Sequence, residues 1–246
     1  MSINLLNDDT AQYVREVDYT RTWSVAHHIR FLIFAHTILQ KNCKHVVDIG
    51  FGQNLLVEYL NKTQYNGNYV GLDLNEEYVR QANEQLQVGC FADYPFSISY
   101  HNSSLKDFVS VSSHAIDCIV LGEVIEHIPK ETAAEFLSYC KSRLHDNGII
   151  ILSTPNKING KINWPDDHED EFSYNELQQV ILDAGLNIER DFGYWNNTQG
   201  TKEMLSTADV NLYNSFENYI PQSLLNVMFN ITNPSKSRAL IFILTK

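Results

Sequence analysis

Between about residues 45 and 195, two hydrophobic patterns alternate along the chain. Short runs rich in β-branched residues, bounded by polar or glycine-containing stretches, predict strands at His45–Ile49, Tyr69–Asp73, Ile98–His101, Ile116–Leu121, Ile149–Thr154 and Leu186–Phe192. The stretches between them carry apolar residues at helical spacing and predict helices near 54–62, 75–87, 104–110, 130–145 and 174–184. A parallel sheet needs a crossover helix after each strand, so this alternation predicts the α/β class with helices on both faces of the sheet. Arg238–Leu244 (RALIFIL) predicts one more strand, and the roughly forty residues before it, with the helical-looking stretch Asn211–Met228, predict a helical insertion at about 195–232. Upstream of the first strand, residues 19 to 40 carry apolar and aromatic side chains at helical spacing. The expected organisation is therefore an N-terminal arm and capping helix over 1–44 and one main domain over 45–246. No internal repeat and no linker rich in Gly, Pro or Ser marks a further domain.

Composition narrows the possible functions. With 43% hydrophobic and 20% charged residues the chain has an ordinary globular make-up. Acidic residues outnumber basic ones 30 to 18, for a formal charge of −12, and such a surface repels a long phosphate backbone. Non-specific nucleic-acid binding is excluded as an expectation. The four cysteines, at 43, 90, 118 and 140, include no close pair of the kind that holds zinc or forms a redox couple, and they read as reduced thiols. The start, MSINLLNDDT, lacks a basic region followed by an apolar stretch, and the strongest apolar run, Ile149–Leu152, is far too short to cross a bilayer. The expectation is a cytoplasmic protein with no membrane partner, its oligomeric state open.

The strongest chemical signal is Val46-Val47-Asp48-Ile49-Gly50-Phe51-Gly52-Gln53-Asn54, a buried strand, a turn with two glycines and a helix start. Glycine lets a backbone approach a ligand closely, and the open amides of the next helix supply positive potential. The second strand ends in Gly71-Leu72-Asp73, placing a carboxylate at the carboxyl end of the neighbouring strand, where open α/β sheets bind ribose hydroxyls. A dinucleotide fingerprint would need a third glycine where this chain has Leu55, which makes a nicotinamide cofactor the minor alternative.

With its acidic residue inside the motif, Asp48-Ile49-Gly50-Phe51-Gly52 resembles the glycine-rich motif of class I S-adenosylmethionine-dependent methyltransferases. Ile116 to Ile128 (IDCIVLGEVIEHI) is similar to the fourth-strand motif of that family, and Asp146-Asn147-Gly148 followed by IIILSTPN to its fifth strand. The resemblance covers about residues 45 to 192 and implies a Rossmann-like seven-stranded, mostly parallel sheet of order 3-2-1-4-5-7-6 with an antiparallel last strand. It implies S-adenosylmethionine as cofactor, with Gly50, Gly52 and Gly122 around the methionine end, Asp48 supporting the amino group and Asp73 on the ribose. Ser104-Leu105 stands at the adenine, where many members carry an acidic residue.

Acceptor chemistry belongs at the carboxyl ends of strands four and five, which bring forward Glu123, Glu126, His127, Asn156 and His168. Of these, His127, His168 and Glu123 are the catalytic candidates, since a histidine can take a proton near neutral pH. Tyr19, Arg21 and Trp23 of the arm, with the insertion, are expected to cover the cofactor and choose the acceptor. Trp23, His27 and His28 otherwise read as packing residues. The leading expectation is methyl transfer to O or N of a small-molecule acceptor, without metal. Two alternatives stand beside it. Glu123, Glu126, His127 and His168 resemble the metal-binding set of small-RNA 3′-terminal 2′-O-methyltransferases, and a cofactor-binding scaffold without turnover would retain the same nucleotide pocket.

Overall fold

The computed structural model describes residues 17–111, 115–158 and 171–246. In chain order, helix α1 (Thr22–Gln40) leads into β1 (His45–Ile49), α2 (Leu55–Lys62), β2 (Asn68–Asp73), α3 (Glu76–Gln87), β3 (Ser97–Asn102) and α4 (Leu105–Val111). The second half runs through β4 (Ile116–Gly122), a 3-10 turn (Ile125–His127), α5 (Lys130–Arg143), β5 (Leu144–Pro155), α6 (Tyr174–Asp183) and β6 (Asn187–Trp195). Three helices, α7 (Thr198–Met204), α8 (Thr207–Phe216) and α9 (Gln222–Ile231), precede a 3-10 turn (Pro234–Lys236) and the last strand, β7 (Ala239–Thr245).

The strands form one seven-stranded sheet in the order β3-β2-β1-β4-β5-β7-β6, as expected. β1 is hydrogen-bonded in parallel to β2 and β4, whereas β7 runs antiparallel to both β5 and β6. Successive side chains of a strand point to opposite faces, and here each face has its own apolar layer. Val46, Val120 and Ile151 pack with Phe34 and Ile38 of α1 and Leu56 and Leu60 of α2. On the other face Val47, Ile119, Leu121 and Leu152 pack with Leu137 of α5 and Leu177 and Ile181 of α6. Helix α1 thus contributes to the main core.

Two elements differ from the sequence pattern. β5 starts at Leu144, five residues before the predicted Ile149, because Leu144 pairs with Ile116 across a register shift. Asp146-Asn147-Gly148 therefore lies inside the strand, and Gly148 is required there: a Cβ would stand 2.9 Å from the Leu144 Cβ and 3.1 Å from the Ile116 carbonyl oxygen. The predicted helical stretch Asn211–Met228 is split into α8 and α9, with Pro221 at the N-cap of α9. Proline lacks the N–H that a helix interior needs and fits the start of one.

Helix α9 packs against α1 and β6. Side-chain hydrogen bonds fasten it there. Tyr213 of α8 donates from its hydroxyl to Asn226 Oδ1 (2.7 Å), and Asn226 Nδ2 donates to Thr22 Oγ1 (2.9 Å) and Thr198 Oγ1 (3.0 Å). Ser223 donates to the Tyr19 carbonyl. Asn226 is fully buried, so these partners are what makes its burial affordable. No helix among the described residues is long and apolar enough to cross a membrane.

Candidate active site

After β1 the backbone enters the left-handed region three times, at Gly50 (φ +68°), Gly52 (+52°) and Asn54 (+63°). Gly50 is sterically obligatory, because its Cβ would stand 2.8 Å from Val124 Cγ2. At Gly52 the situation is the reverse: a Cβ would meet nothing nearer than the Gly50 carbonyl oxygen at 3.9 Å, so the loop presents open space there. Asn54, which tolerates a left-handed backbone better than most residues, heads α2. The Gly52 amide donates to Asp73 Oδ2 (3.1 Å), drawing the turn against the end of β2, while Asp73 Oδ1 accepts from the Asn75 amide (2.8 Å). The cap of α3 is Asn75, whose side chain accepts from the Glu77 amide.

A cavity of about 270 Å³ opens at this turn. Its sheet side is formed by Asp48, Gly50, Gly52, Gly122 and Glu123. Its other side is helix α1, through Trp23, His27, Arg30 and Phe31. No residue of 195–232 lines it.

Asp48 is buried in the centre of the sheet and accepts a hydrogen bond from the Tyr69 hydroxyl (2.7 Å). Burial pushes its carboxyl up to about 7, against the pull of the Tyr69 hydrogen bond and with a further push from Asp73. A cation placed beside it would stabilise the ionised form.

Glu123 adopts a left-handed backbone (φ +60°) that few side-chain-bearing residues accept. Its surroundings hold it there. The Glu123 amide donates to the Ser153 carbonyl (3.0 Å), and Oε1 accepts from Ser153 Oγ (2.8 Å), Arg30 Nη1 (2.9 Å) and the Tyr194 hydroxyl (3.0 Å). Oε2 makes none of these bonds. Arg30 in turn donates from Nη2 to His27 Nδ1 (3.3 Å), and its guanidinium lies 4.8 Å from the centre of the Phe31 ring.

The remaining predicted residues lie elsewhere. Ser104 caps α4, its hydroxyl accepting from the Asp107 amide (3.2 Å) and donating to Asp107 Oδ2 (2.7 Å). Leu105 is buried as the first residue of α4, and neither residue lines the cavity. His127 is exposed on the 3-10 turn, away from the cavity lining, and His168 lies outside the described residues. Glu126 is buried and accepts from Thr154 Oγ1 (3.0 Å). Its burial, reinforced by the charge of Glu123, holds its carboxyl well above the usual range. Among the described residues no three His, Cys, Asp or Glu are grouped to hold a metal ion.

Sequence reasoning missed Arg30 and Tyr194 and took His27 for packing, while Trp23, read both as packing and as part of a cover over the cofactor, does line the cavity. A signal for the α1 residues was present: positions 23, 27, 30 and 34 follow one another at three- and four-residue steps, 31 stands four after 27 and three before 34, and they share one helix face.

The methyltransferase domain family matches residues 47–152. That match covers less than half of the chain; with the sheet order and the glycine turn it makes the chain similar to the class I S-adenosylmethionine-dependent methyltransferases, a class whose cofactor is S-adenosylmethionine. The mitochondrial ubiquinone biosynthesis O-methyltransferase of Saccharomyces cerevisiae is 30% identical over 113 residues, 46% of this chain and 34% of that protein. The chain thus matches about a third of that relative's length. The magnesium protoporphyrin IX methyltransferase of Synechocystis PCC 6803, crystallised with S-adenosylhomocysteine, superposes with a TM-score of 0.58 at 14% identity, over 99% of this chain and 90% of that one. The methyltransferase domain of bacterial CtHen1-CN gives 0.57 at 16% identity, over 90% of this chain and all of the other. The described residues fit the cofactor: an open cradle at Gly52, a carboxyl at Asp48 that a cation would ionise, and a carboxylate at the end of β2, Asp73, beside the turn.

Proposed function

We propose that this protein transfers the methyl group of S-adenosylmethionine to an oxygen or nitrogen of a small-molecule acceptor held between the glycine turn and helix α1. The observation that carries this reading is the single cavity into which the open turn at Gly52, Asp48, Glu123 and the aromatic face of α1 all converge. Its modest volume and the acidic surface of the chain favour a small acceptor, and the name of the yeast relative favours oxygen.

When bound, the cofactor supplies an electrophilic methyl on a cationic sulfur. The residues of this chain place and stabilise that centre. Gly50 and Gly52 let the backbone come close to the methionine end, with Gly122 forming the floor. Asp48 ionises against the amino group, and Asp73 accepts from the ribose hydroxyls. Glu123 puts negative charge near the sulfonium, its geometry fixed by Arg30, Tyr194 and Ser153 so that little reorganisation is needed during transfer. Its Oε2 would accept the proton of a hydroxyl acceptor as the methyl exchanged its bond to sulfur for one to the acceptor oxygen, with S-adenosylhomocysteine as the leaving group. His127, exposed and off the lining, takes no step in this reading. Holding the acceptor in line with the methyl supplies much of the acceleration.

The test begins with ligand binding. S-adenosylhomocysteine at a hundred times its Kd is expected to stabilise the fold by about 2.7 kcal/mol, and nicotinamide dinucleotides not at all. Asp73→Ala should weaken that binding at least about tenfold by removing charge-assisted hydrogen bonds. Methyl consumption with a panel of hydroxylated and amino compounds should then survive a chelator. Activity lost on chelation and restored by manganese would favour the RNA 3′-end alternative, and binding without any turnover would favour the scaffold.

A further inference from the structure

Two neighbouring helices of this acidic protein carry almost no charge. Helix α1 holds a single Lys, Arg, Asp or Glu, the buried Arg30, and the run from Asn218 to Ser235, which includes α9, holds none, although 20% of the chain is charged. Helix α3, by contrast, carries Glu76, Glu77, Arg80 and Glu84 within 12 residues, as a solvated helix ordinarily does. The two uncharged helices lie side by side and advance in the same direction, since Ser223 donates to the Tyr19 carbonyl and Asn226 to Thr22. Beyond these contacts the outer face of α1 carries Leu32, 45% exposed, then His36, also exposed, and Leu39, 44% exposed, with Ile29 and Ile33 half-buried beside them. Met228 of α9 is 47% exposed. Single exposed leucines are ordinary on a protein surface, but a row of them on a helix with no charged neighbour of its own is not. Along α1 charges resume at the ends, as ion pairs of Arg21 with Asp18 (3.4 Å) and of Lys41 with Glu189 (2.5 Å).

We propose that this face joins two copies of the chain into a two-fold dimer, with α1 packed antiparallel against α1 of the second copy. The 19 residues of α1 run about 28 Å, long enough for such a helix pair. In a two-fold contact each residue meets the one equally far on the other side of the axis, so an axis beside His36 sets Leu32 of each copy over Leu39 of the other. Charge selects this occupant. A formal charge of −12 makes most of the surface repel its counterpart, whereas this face brings none of that charge into contact and is edged by ion pairs already neutralised within each copy. A bilayer surface fits worse: helices that lie in the interface draw on Lys and Arg around their apolar face, α1 and α9 offer only the buried Arg30, and the net charge repels anionic lipid. The row at 32, 36 and 39 lies on the side of α1 opposite the cavity-lining 23, 27, 30 and 34, so both cavities of the dimer stay open. One helix pair is a small contact, which sets the expected dissociation constant in the micromolar range. None of this depends on the reaction the cavity performs.

Sedimentation equilibrium of the full chain from about 1 to about 100 μM tests the arrangement, and wild type should pass from monomer to dimer across that range. Leu32→Lys and Leu39→Glu each set a charge against a leucine and should raise the dimer Kd at least about a hundredfold. Combined in one chain, they place Lys opposite Glu at both symmetry-related contacts, and the double variant should recover most of the lost affinity. Leu182→Glu, at an equally exposed leucine on α6, should leave the dimer unchanged. The substituted side chains are half in solvent, so circular dichroism should show the same helix content in every variant. A wild type that stays monomeric at about 100 μM, a dimer indifferent to Leu32→Lys, or a double variant as monomeric as its parents overturns the proposal. Wild-type binding to phosphatidylcholine–phosphatidylserine vesicles that Leu32→Lys abolishes overturns it as well, and makes the face a lipid-surface site instead.

Discussion

One wall of the cavity is backbone and the other is side chain. On the β1 side the shape comes from left-handed φ angles at Gly50 and Gly52 and from an amide tied to Asp73, so few side chains are involved and their identities are tightly constrained. On the α1 side it comes from rings and a guanidinium whose positions depend on what they pack against. A backbone wall suits a ligand that does not vary, and a side-chain wall can be changed residue by residue. Under the proposed function, donor and acceptor recognition would be separable, with Glu123 as the point where the walls meet through Arg30.

The largest expected effect concerns Asp48, the one carboxyl buried in the backbone wall. Above about pH 4 the unfolded chain releases the Asp48 proton while the folded protein keeps it up to about 7, so the unfolded state binds fewer protons and stability falls as pH rises across that window. Asp48→Asn removes this dependence. The variant should gain on the order of 2–4 kcal/mol relative to wild type between pH 4 and pH 8, followed by urea denaturation. Its affinity for S-adenosylhomocysteine should be weaker and flat with pH, whereas wild-type binding tightens as pH rises through 7. Parallel stability profiles would show that the Asp48 carboxyl is not raised.

Next comes the contact between the walls. Glu123→Gln leaves the buried Arg30 charge without its partner and should cost about 2–3 kcal/mol, below the ~3–5 kcal/mol for breaking a fully buried pair because the Glu123 side chain is 29% exposed. Arg30→Met should cost less, and the double variant less than the two single losses combined. Additive losses in the double-mutant cycle would show that the walls are not coupled here.

The smallest effect on stability sharpens the contrast within the turn. Gly50→Ala meets both the left-handed backbone and Val124, at about 2 kcal/mol or more, while Gly52→Ala meets only the backbone cost of about 1 kcal/mol. Ligand binding should rank differently, because the Gly52 methyl would project into the open face of the cradle. Thermal melting with and without S-adenosylhomocysteine separates the two, and a Gly52→Ala protein that binds the ligand normally would mean the open face is not the binding face.

The same division decides what could be read from the chain. Val46 to Asp48 and Ile149 to Leu152 announce strands because apolar β-branched runs have few other stable settings, and Gly50-Phe51-Gly52 announces the turn because left-handed backbone leaves a trace in residue choice. Arg30, Glu123 and Tyr194 leave none. They come from α1, the end of β4 and β6, and only the folded sheet brings them within 3.5 Å of one another. The stripe from Trp23 to Phe34 was visible as a helix face, but periodicity does not say whether such a face meets a core or a ligand. The break at Pro221 was written in the sequence, since a proline in a helix interior forfeits a hydrogen bond and clashes with the preceding turn. Ser104 was placed at the right strand end, yet its cap on α4 is a local bond that motif comparison alone does not reveal.

The hydrogen bonds from Ser223 to Tyr19 and from Asn226 to Thr22 each join residues 204 positions apart. A ribosome extrudes α1 before β6 and α9, two of the elements against which α1 rests. Closing so wide a loop comes late, after the local strand–helix units have formed. Until α9 has emerged, the face of α1 that it covers is left without its final seat, and nascent chains halted before α9 would display it to chaperones.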